Sequence, residues 1–237
     1  MRTAFNIALL FVSTFSFAQT KLYVSATVGN YSMKDNKDLQ EEMLNQLPEN
    51  IAYKIVDEFP VSLQADLGID IDLKPNDITL GGFLNYAMTH GRIDYRDYSG
   101  RFTIDQNVER FVIGAKGMKH LGAGFWAYAK AGLVFSSLKI KFSQEIYDFN
   151  INPNDEEYDF DAKGILVEPG FRWEHTINRF VFFGQAGYEL NINGKTNYSD
   201  DTYLQDEDGD AVYMNWSGAR LGIGIGFRFQ KLVTSSK

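Results

Sequence analysis

The chain has 237 residues, a formal net charge of −8 and no cysteine. The lack of cysteine excludes disulfides and thiolate metal sites. The acidic balance argues against a nucleic-acid partner, because such proteins carry basic patches. Aromatic residues and glycine are abundant, with 13 Tyr, 19 Phe, 3 Trp and 21 Gly, whereas there are only 5 Pro.

The N-terminus has the pattern of a cleaved secretory signal. Arg2 is basic, an apolar run follows over 4–17, and Ala18 is the small residue expected at a cleavage site. The run is too short for a comfortable membrane span, which disfavours an N-terminal anchor. We therefore predict a signal over 1–18 and one exported domain over 19–237.

Downstream of the signal, apolar residues recur with a period of two, which indicates β-strands. Short connections alternate with long ones, as in an up-and-down antiparallel barrel, and the long ones are expected at 33–60, 93–106, 141–162 and 194–212. Pro169 should interrupt strand pairing, because proline has no backbone N–H. The predicted strands cover about 21–32, 61–73, 78–92, 107–118, 124–140, 163–175, 179–193 and 213–229.

The first long connection contains one segment with helical spacing. Asp38 is the expected N-cap, Glu41 stands at the capping-box position, and Leu39 and Met43 share a face of a helix over 38–47. Two interpretations remain open. The helix is either a lid or partner-binding element at the barrel mouth, or it packs on the rim of its own barrel.

Two barrel architectures fit eight meandering strands, and they turn the apolar face to opposite sides. A lipocalin-like soluble barrel places it inside, whereas an outer-membrane barrel places it outside. The more apolar parity of the predicted strands has no Asp, Glu, Lys or Arg, while the other parity combines charges with glycines, as in 219–229. A charge on a lipid-facing surface costs about 2–4 kcal/mol near the midplane. We therefore predict an all-β fold, an eight-stranded antiparallel transmembrane barrel.

The residues expected to point inwards predict a lumen that contains charges of both signs. Counting residues from the short turns pairs Lys130 with Glu168 and Glu189 with Arg220. Acids and bases nearly cancel, which favours a closed plug over the single-sign ring of a selective pore. Asp72, Glu174 and Arg179 lie on the same predicted face. The predicted network comprises Asp66, Asp70, Arg110, Lys116, Lys130, Glu168, Arg172, Glu189, Arg220 and Arg228.

With its signal, eight strands, asymmetric connections and a glycine-alternating last strand ending at Phe229, the chain resembles a known group. It is similar to the small outer-membrane β-barrel proteins of the OmpA, OmpX and OmpW type common in Bacteroidota. The loop over 97–100 also resembles that group. The resemblance implies residence in a Gram-negative outer membrane, with short turns in the periplasm and long loops outside. It further implies contact with outer-membrane lipid and lipopolysaccharide, insertion by the assembly machinery, and a monomer.

The long connections are acidic, and one of them contains a weak candidate metal site at Asp206, Asp208 and Asp210. Clustered carboxylates suit Ca²⁺ or Mg²⁺. The spacing differs from that of an EF-hand loop. A solvated acidic loop is the favoured interpretation, and binding of a divalent cation or an extracellular ligand is the alternative.

Catalysis is not expected. Lipid A acylases and deacylases exist on such barrels, but His90, the histidine nearest the outer rim, stands in MTHGR without a serine hydrolase motif. We predict a non-enzymatic structural or surface-interaction barrel with a closed lumen, no cofactor and no nucleic acid. A small passive pore or a carrier of small apolar solutes is the alternative, and a lipid A-modifying enzyme is a remote one.

Overall fold

The structure is a computed structural model that describes residues 19–47, 53–73, 77–98, 100–146, 155–199, 202–206 and 208–229. The predicted signal over 1–18 lies outside these residues. The elements are β1 (Gln19–Tyr31), α1 (Lys34–Asn45), β2 (Lys54–Glu58), β3 (Ser62–Leu73), β4 (Ile78–Arg96), β5 (Gly100–Gly122), β6 (Phe125–Ile146), β7 (Glu156–Ile177), β8 (Phe180–Asn193), β9 (Asn197–Ser199), β10 (Thr202–Tyr203) and β11 (Gly218–Phe229).

Eight long strands form a closed antiparallel ring, which confirms the predicted fold class. The order around the ring is β1, β3, β4, β5, β6, β7, β8 and β11, and β11 pairs with β1 to close it. Above the ring, β2 continues the line of β3 along β4, and β9 pairs with β7. Closure removes the free sheet edges that an open sheet of this length would expose.

The outer surface of the ring is a broad apolar band. Leu221, Ile223 and Leu133 are 62%, 72% and 54% exposed. A soluble monomer rarely shows a continuous apolar surface of this size, whereas a membrane barrel requires one. Aromatic side chains lie on the outer surface towards both ends of the band, at Phe125, Trp173 and Phe180 on the short-turn side and at Tyr86, Phe135 and Tyr188 on the other. Within the described part of the chain, no helix is long and apolar enough to cross a membrane.

Four strands extend beyond their predicted ends, and there the two faces exchange character. On β6, Leu133 and Phe135 are exposed on the outside, whereas Leu138 and Ile140, five residues further along, are buried inside. Lys139, between them, faces outwards with its side chain 45% exposed. Water replaces lipid at this level, so the apolar residues move to the interior. The loops predicted at 93–106 and 141–162 are therefore mostly strand, because the lipid-face pattern ends at the membrane border.

An apolar core, the upper core, fills the interior at this end. Residues 212–216 turn inwards, and the side chains of Val212, Met214 and Trp216 are buried in this core. The strand β11 therefore begins at Gly218 rather than at the predicted 213. The upper core comprises Tyr31, Met33, Leu39, Phe59, Ala87, Ile93, Ile104, Val108, Leu138, Ile140, Phe160, Ala162, Val212, Met214 and Trp216.

The helix α1 begins at Lys34, so the prediction that Asp38 caps it was wrong. Met33 occupies the N-cap position with a φ of 45° and forms no side-chain cap hydrogen bond. Its side chain is buried and its N–H donates to the Asn215 carbonyl at 3.2 Å. Tertiary packing therefore sets where the helix begins. Leu39 is buried and Met43 packs against the upper core, so α1 lies on its own barrel.

Pro169 interrupts strand pairing on one side only. Ala129 of β6 pairs with Pro169, but pairing of β7 with β8 lapses at Glu168 and Pro169 and resumes at Gly170 in the same register. A local break without a register shift is what a missing N–H requires. The side chain of Glu168 still points into the lumen, where it is buried.

Candidate functional site: the ion-paired lumen

Charged side chains from strands all around the ring meet in the lumen at the level of the apolar band. They alternate along each strand with the lipid-facing residues, because successive side chains of a strand point to opposite faces. Arg228 is the partly exposed member of the predicted network, with its side chain 24% exposed. The buried members are Asp66, Asp70, Arg110, Lys116, Lys130, Glu168, Arg172, Glu189 and Arg220.

The central group joins two acids to two bases. Lys130 stands directly opposite Glu168 in the β6–β7 register, with 3.5 Å between Nζ and Oε2, and its Nζ is 4.0 Å from Asp66 Oδ1. Arg220 forms a close ion pair with Glu168 and lies 3.4 Å from Asp66. The Tyr128 hydroxyl donates to Glu168 at 2.6 Å. Each of these four charges therefore has two partners of opposite sign within the group.

The upper group is built on a two-point contact between Arg110 and Glu189. Both terminal guanidinium nitrogens of Arg110 donate to the Glu189 carboxylate, one of them at 2.8 Å. The Tyr31 hydroxyl donates to the same carboxylate at 3.2 Å, and Arg220 lies 3.5 Å from it. The guanidinium of Arg110 stacks on the Trp216 ring at 4.7 Å from its centroid. This contact joins the charged lumen to the upper core.

The lower group surrounds Asp70 near the short-turn end. Lys21 lies 3.3 Å from Asp70 and 2.5 Å from Glu174. Lys116 and Arg172 approach Asp70 at 2.7 and 3.5 Å, and Arg172 also lies 3.6 Å from Glu174. Three bases thus share two acids, and all five side chains are at most 5% exposed.

The sequence analysis did not find one charged residue of the lumen, and it wrongly placed another residue there. Lys21 is 1% exposed inside the barrel, and its shared parity with Tyr23 on β1 was the signal that could have found it. Arg179 is exposed in the turn between β7 and β8, so its inward assignment was wrong. The two-residue period of a strand does not continue through a turn. Arg228, near the same end, pairs with Asp72 at 3.7 Å.

Glycines create the space that these side chains occupy. A Cβ added at Gly68 would overlap the Tyr23 hydroxyl, which lies across the strand inside the lumen. The Tyr23 ring in turn packs under Lys116, whose Nζ is 4.0 Å from the ring centroid, and meets Phe183 edge-on at 5.8 Å. Large aromatic and charged side chains are therefore closely packed across the lumen.

The acidic candidate at Asp206, Asp208 and Asp210 has turn geometry. The Asp210 N–H donates to Asp206 Oδ1 at 2.7 Å, and the Gly209 N–H donates to the Asp206 carbonyl at 3.1 Å. The structure does not gather these carboxylates. Among the described residues, no group of three or more His, Asp or Glu side chains could hold a metal ion.

The outer surface above the apolar band carries exposed ion pairs. His90 lies there, with Nε2 3.3 Å from Asp57 Oδ2. On β6, two strands away from the β4 strand that carries His90, Lys141 Nζ contacts Asp155 at 2.7 Å. This hydrogen bond lowers the pKa of Asp155 and raises the pKa of Lys141. Exposed pairs of this kind are worth little to stability, but they mark a water-facing surface.

Comparison with known proteins shows similarity of fold alone. No family model and no curated protein matches the chain. Ail, the attachment invasion locus protein of Yersinia pestis, solved in complex with the heparin analogue sucrose octasulfate, is 13% identical over 90% of this chain and 97% of its own, with a TM-score of 0.38. The outer membrane protein OprG from Pseudomonas aeruginosa is 10% identical over 90% and 97%, with a TM-score of 0.42. A major outer membrane protein from Thermus thermophilus is 10% identical over 89% and 99%, with a TM-score of 0.45.

Proposed function

We propose that this chain is an integral outer-membrane β-barrel with a closed, ion-paired lumen and a non-enzymatic structural or surface-interaction role. The central group of the lumen carries this proposal. Lys130, Glu168 and Arg220 meet there with their side chains 1%, 1% and 2% exposed. A conducting pathway needs water-exposed walls, whereas an eight-stranded barrel is just wide enough for side chains to fill it.

The proposed topology follows from the asymmetry of the two ends. The short turns face the periplasm, and the tall end with the extended β4–β7 strands and α1 faces outwards. The apolar band contacts outer-membrane lipid and lipopolysaccharide, and the assembly machinery inserts the barrel as a monomer. The exposed charged surface at the tall end is then the part available to an extracellular ligand or to divalent cations.

Conductance in planar bilayers tests the closed lumen. We expect purified protein to form no stable channels, because the three charge groups fill the cross-section. A variant with Asp66→Ala, Lys130→Ala, Glu168→Ala and Arg220→Ala removes both acids and both bases of the central group, so that none of these charges is left without its partner, and should conduct measurably if it folds. Large, stable channels in the unmutated protein would replace the plug with a pore.

Location is tested separately, by fractionation and by heat-modifiable mobility. The protein should enter the outer-membrane fraction, and unboiled and boiled samples should migrate differently on SDS gels, because a closed barrel resists unfolding by detergent. Recovery as a soluble periplasmic protein would contradict the proposal.

A further inference from the structure

A hollow interrupts the outer surface of the barrel within the apolar band. It has a volume of about 880 Å³ and crosses β6, β7, β8, β11, β1 and β3. On β8 its floor consists of Gly184 and Ala186. A Cβ added at Gly184 would meet no atom within 4 Å, so the space above this residue is open. The side chains of the band therefore leave room for another molecule at this place.

The walls of the hollow stand directly opposite each other on the two strands that flank β8. Trp173 of β7 and Ile223 of β11 both pair in register with Gly184. The next outward residues of both strands pair with Ala186 in the same way. All four wall residues are exposed on the lipid side, and they are Phe171, Trp173, Leu221 and Ile223. The floor and the walls are thus entirely apolar at this point.

The width of the hollow selects its occupant. The backbones of β7 and β11 are two strand spacings apart, which is about 10 Å. Carbon atoms in contact lie about 3.5–4.0 Å apart, so a single row of carbons between two walls needs about 7–8 Å. An α-helix with its side chains is about 10–12 Å wide and does not fit. The convex face of a second barrel reaches only the rim of the hollow, whereas one hydrocarbon chain can enter it.

A base stands at the foot of the strand that forms the floor. Arg179 is exposed in the turn before β8 and forms no ion pair with any described carboxylate. Gly184 lies five residues further along, which is about 17 Å of strand and, at a tilt of about 45°, about 12 Å above the turn. The hydrocarbon core of a bilayer is about 30 Å thick. This part of the hollow therefore lies in the leaflet next to the short turns.

We propose that the hollow holds one acyl chain of a phospholipid of that leaflet and that Arg179 contacts the phosphate of the same molecule. The walls contact the chain from both sides, and the guanidinium pairs with the phosphate as arginine commonly does. A lipid bound in this way stays with the barrel, unlike the lipids that surround the rest of the band. The inference rests on the proposed membrane residence and is independent of the closed lumen.

Native mass spectrometry of protein extracted from outer membranes in a mild detergent tests the acyl-chain site. We expect one phospholipid to remain on each barrel after washing removes the others. Gly184→Leu combined with Ala186→Leu fills the hollow with side chains that suit a lipid face, and should lower the retained phospholipid at least tenfold. Ala115→Leu combined with Ala131→Leu is the matched control, because these small exposed residues lie opposite each other on β5 and β6, outside the hollow.

The headgroup contact has its own variant. Arg179→Met should lower the retained phospholipid several-fold, and heat-modifiable mobility on SDS gels shows whether each variant is folded. Undiminished retention by Arg179→Met would overturn the contact with the phosphate. Undiminished retention by the filled variant, an equal loss in the control, a retained fatty acid or detergent instead of a phospholipid, or a mass of two chains would overturn the acyl-chain site. A barrel that fractionates with outer membranes but retains no phospholipid refutes only this inference, whereas a soluble protein refutes the proposed residence.

Discussion

Lys130 illustrates how this barrel tolerates a charge inside a membrane. It lies 3.5 Å from Glu168 and is 1% exposed, so its charge depends on that carboxylate and on Asp66. Removing one partner of a buried pair leaves the other uncompensated, which typically costs about 3–5 kcal/mol. We expect Lys130→Met to lower the free energy of unfolding, measured by urea unfolding in lipid vesicles, by at most that amount, because Glu168 and Asp66 both keep Arg220 as a partner.

A double-mutant cycle separates this coupling from packing. Adding Glu168→Leu to Lys130→Met should recover part of the loss but not all of it, because Arg220 also depends on Glu168. Arg179→Met removes a base that is exposed in a turn and should change stability little. A coupling near zero would mean that water in the lumen already screens the pair.

Two glycines on opposite faces give a matched test of the packed lumen. A Cβ at Gly68 would overlap Tyr23 inside the barrel, whereas a Cβ at Gly184 on the lipid face would meet nothing within 4 Å. Overpacking a filled interior typically costs about 1–3 kcal/mol. Gly68→Ala should therefore destabilise the barrel in urea unfolding by that amount, and Gly184→Ala should be nearly neutral. Equal effects would indicate that the lumen has room to spare.

At the scale of the element, β6 passes from lipid to water along a single face. Leu133 is 54% exposed within the apolar band, whereas Ser137, four residues later, pairs in register with Glu109 and Asp161. Leu133→Arg should destabilise the barrel by about 2–4 kcal/mol, the cost of a charge near the midplane. Ser137→Arg should be tolerated, because two carboxylates stand beside it. Insertion yield and urea unfolding measure both, and similar losses would place the membrane border elsewhere.

The same border explains what could be predicted from the sequence. Within the apolar band, lipid imposes strict alternation, so the eight strands of the ring and the pairing of Lys130 with Glu168 follow from counting residues. Above the band, apolar residues such as Leu138 and Ile140 point inwards. Strands predicted from an outward apolar face therefore come out too short at this end. The start of α1 was not predictable from capping residues, because Met33 is held by tertiary packing.

At the scale of the whole molecule, the barrel consists of two units with opposite chemistry stacked along one axis. The lower unit is apolar outside and ion-paired inside, and the upper unit is charged outside and apolar inside. Arg110 joins them, since it pairs with Glu189 below and stacks on Trp216 above. A single ring of strands can carry both units only if one lies in lipid and the other in water.

The proposed topology predicts which end should be reached from outside an intact cell. The chain has no cysteine, so single cysteines report accessibility without interference. Tyr98→Cys, at the tip of the β4–β5 hairpin where Tyr98 is 94% exposed, and Asp208→Cys should react with a membrane-impermeant maleimide on intact cells. Arg179→Cys, in a short turn at the other end, should react only after lysis. Reaction of Arg179→Cys alone would mean that the barrel is inserted upside down, and reaction of all three would mean that the apolar band does not cross a sealed membrane.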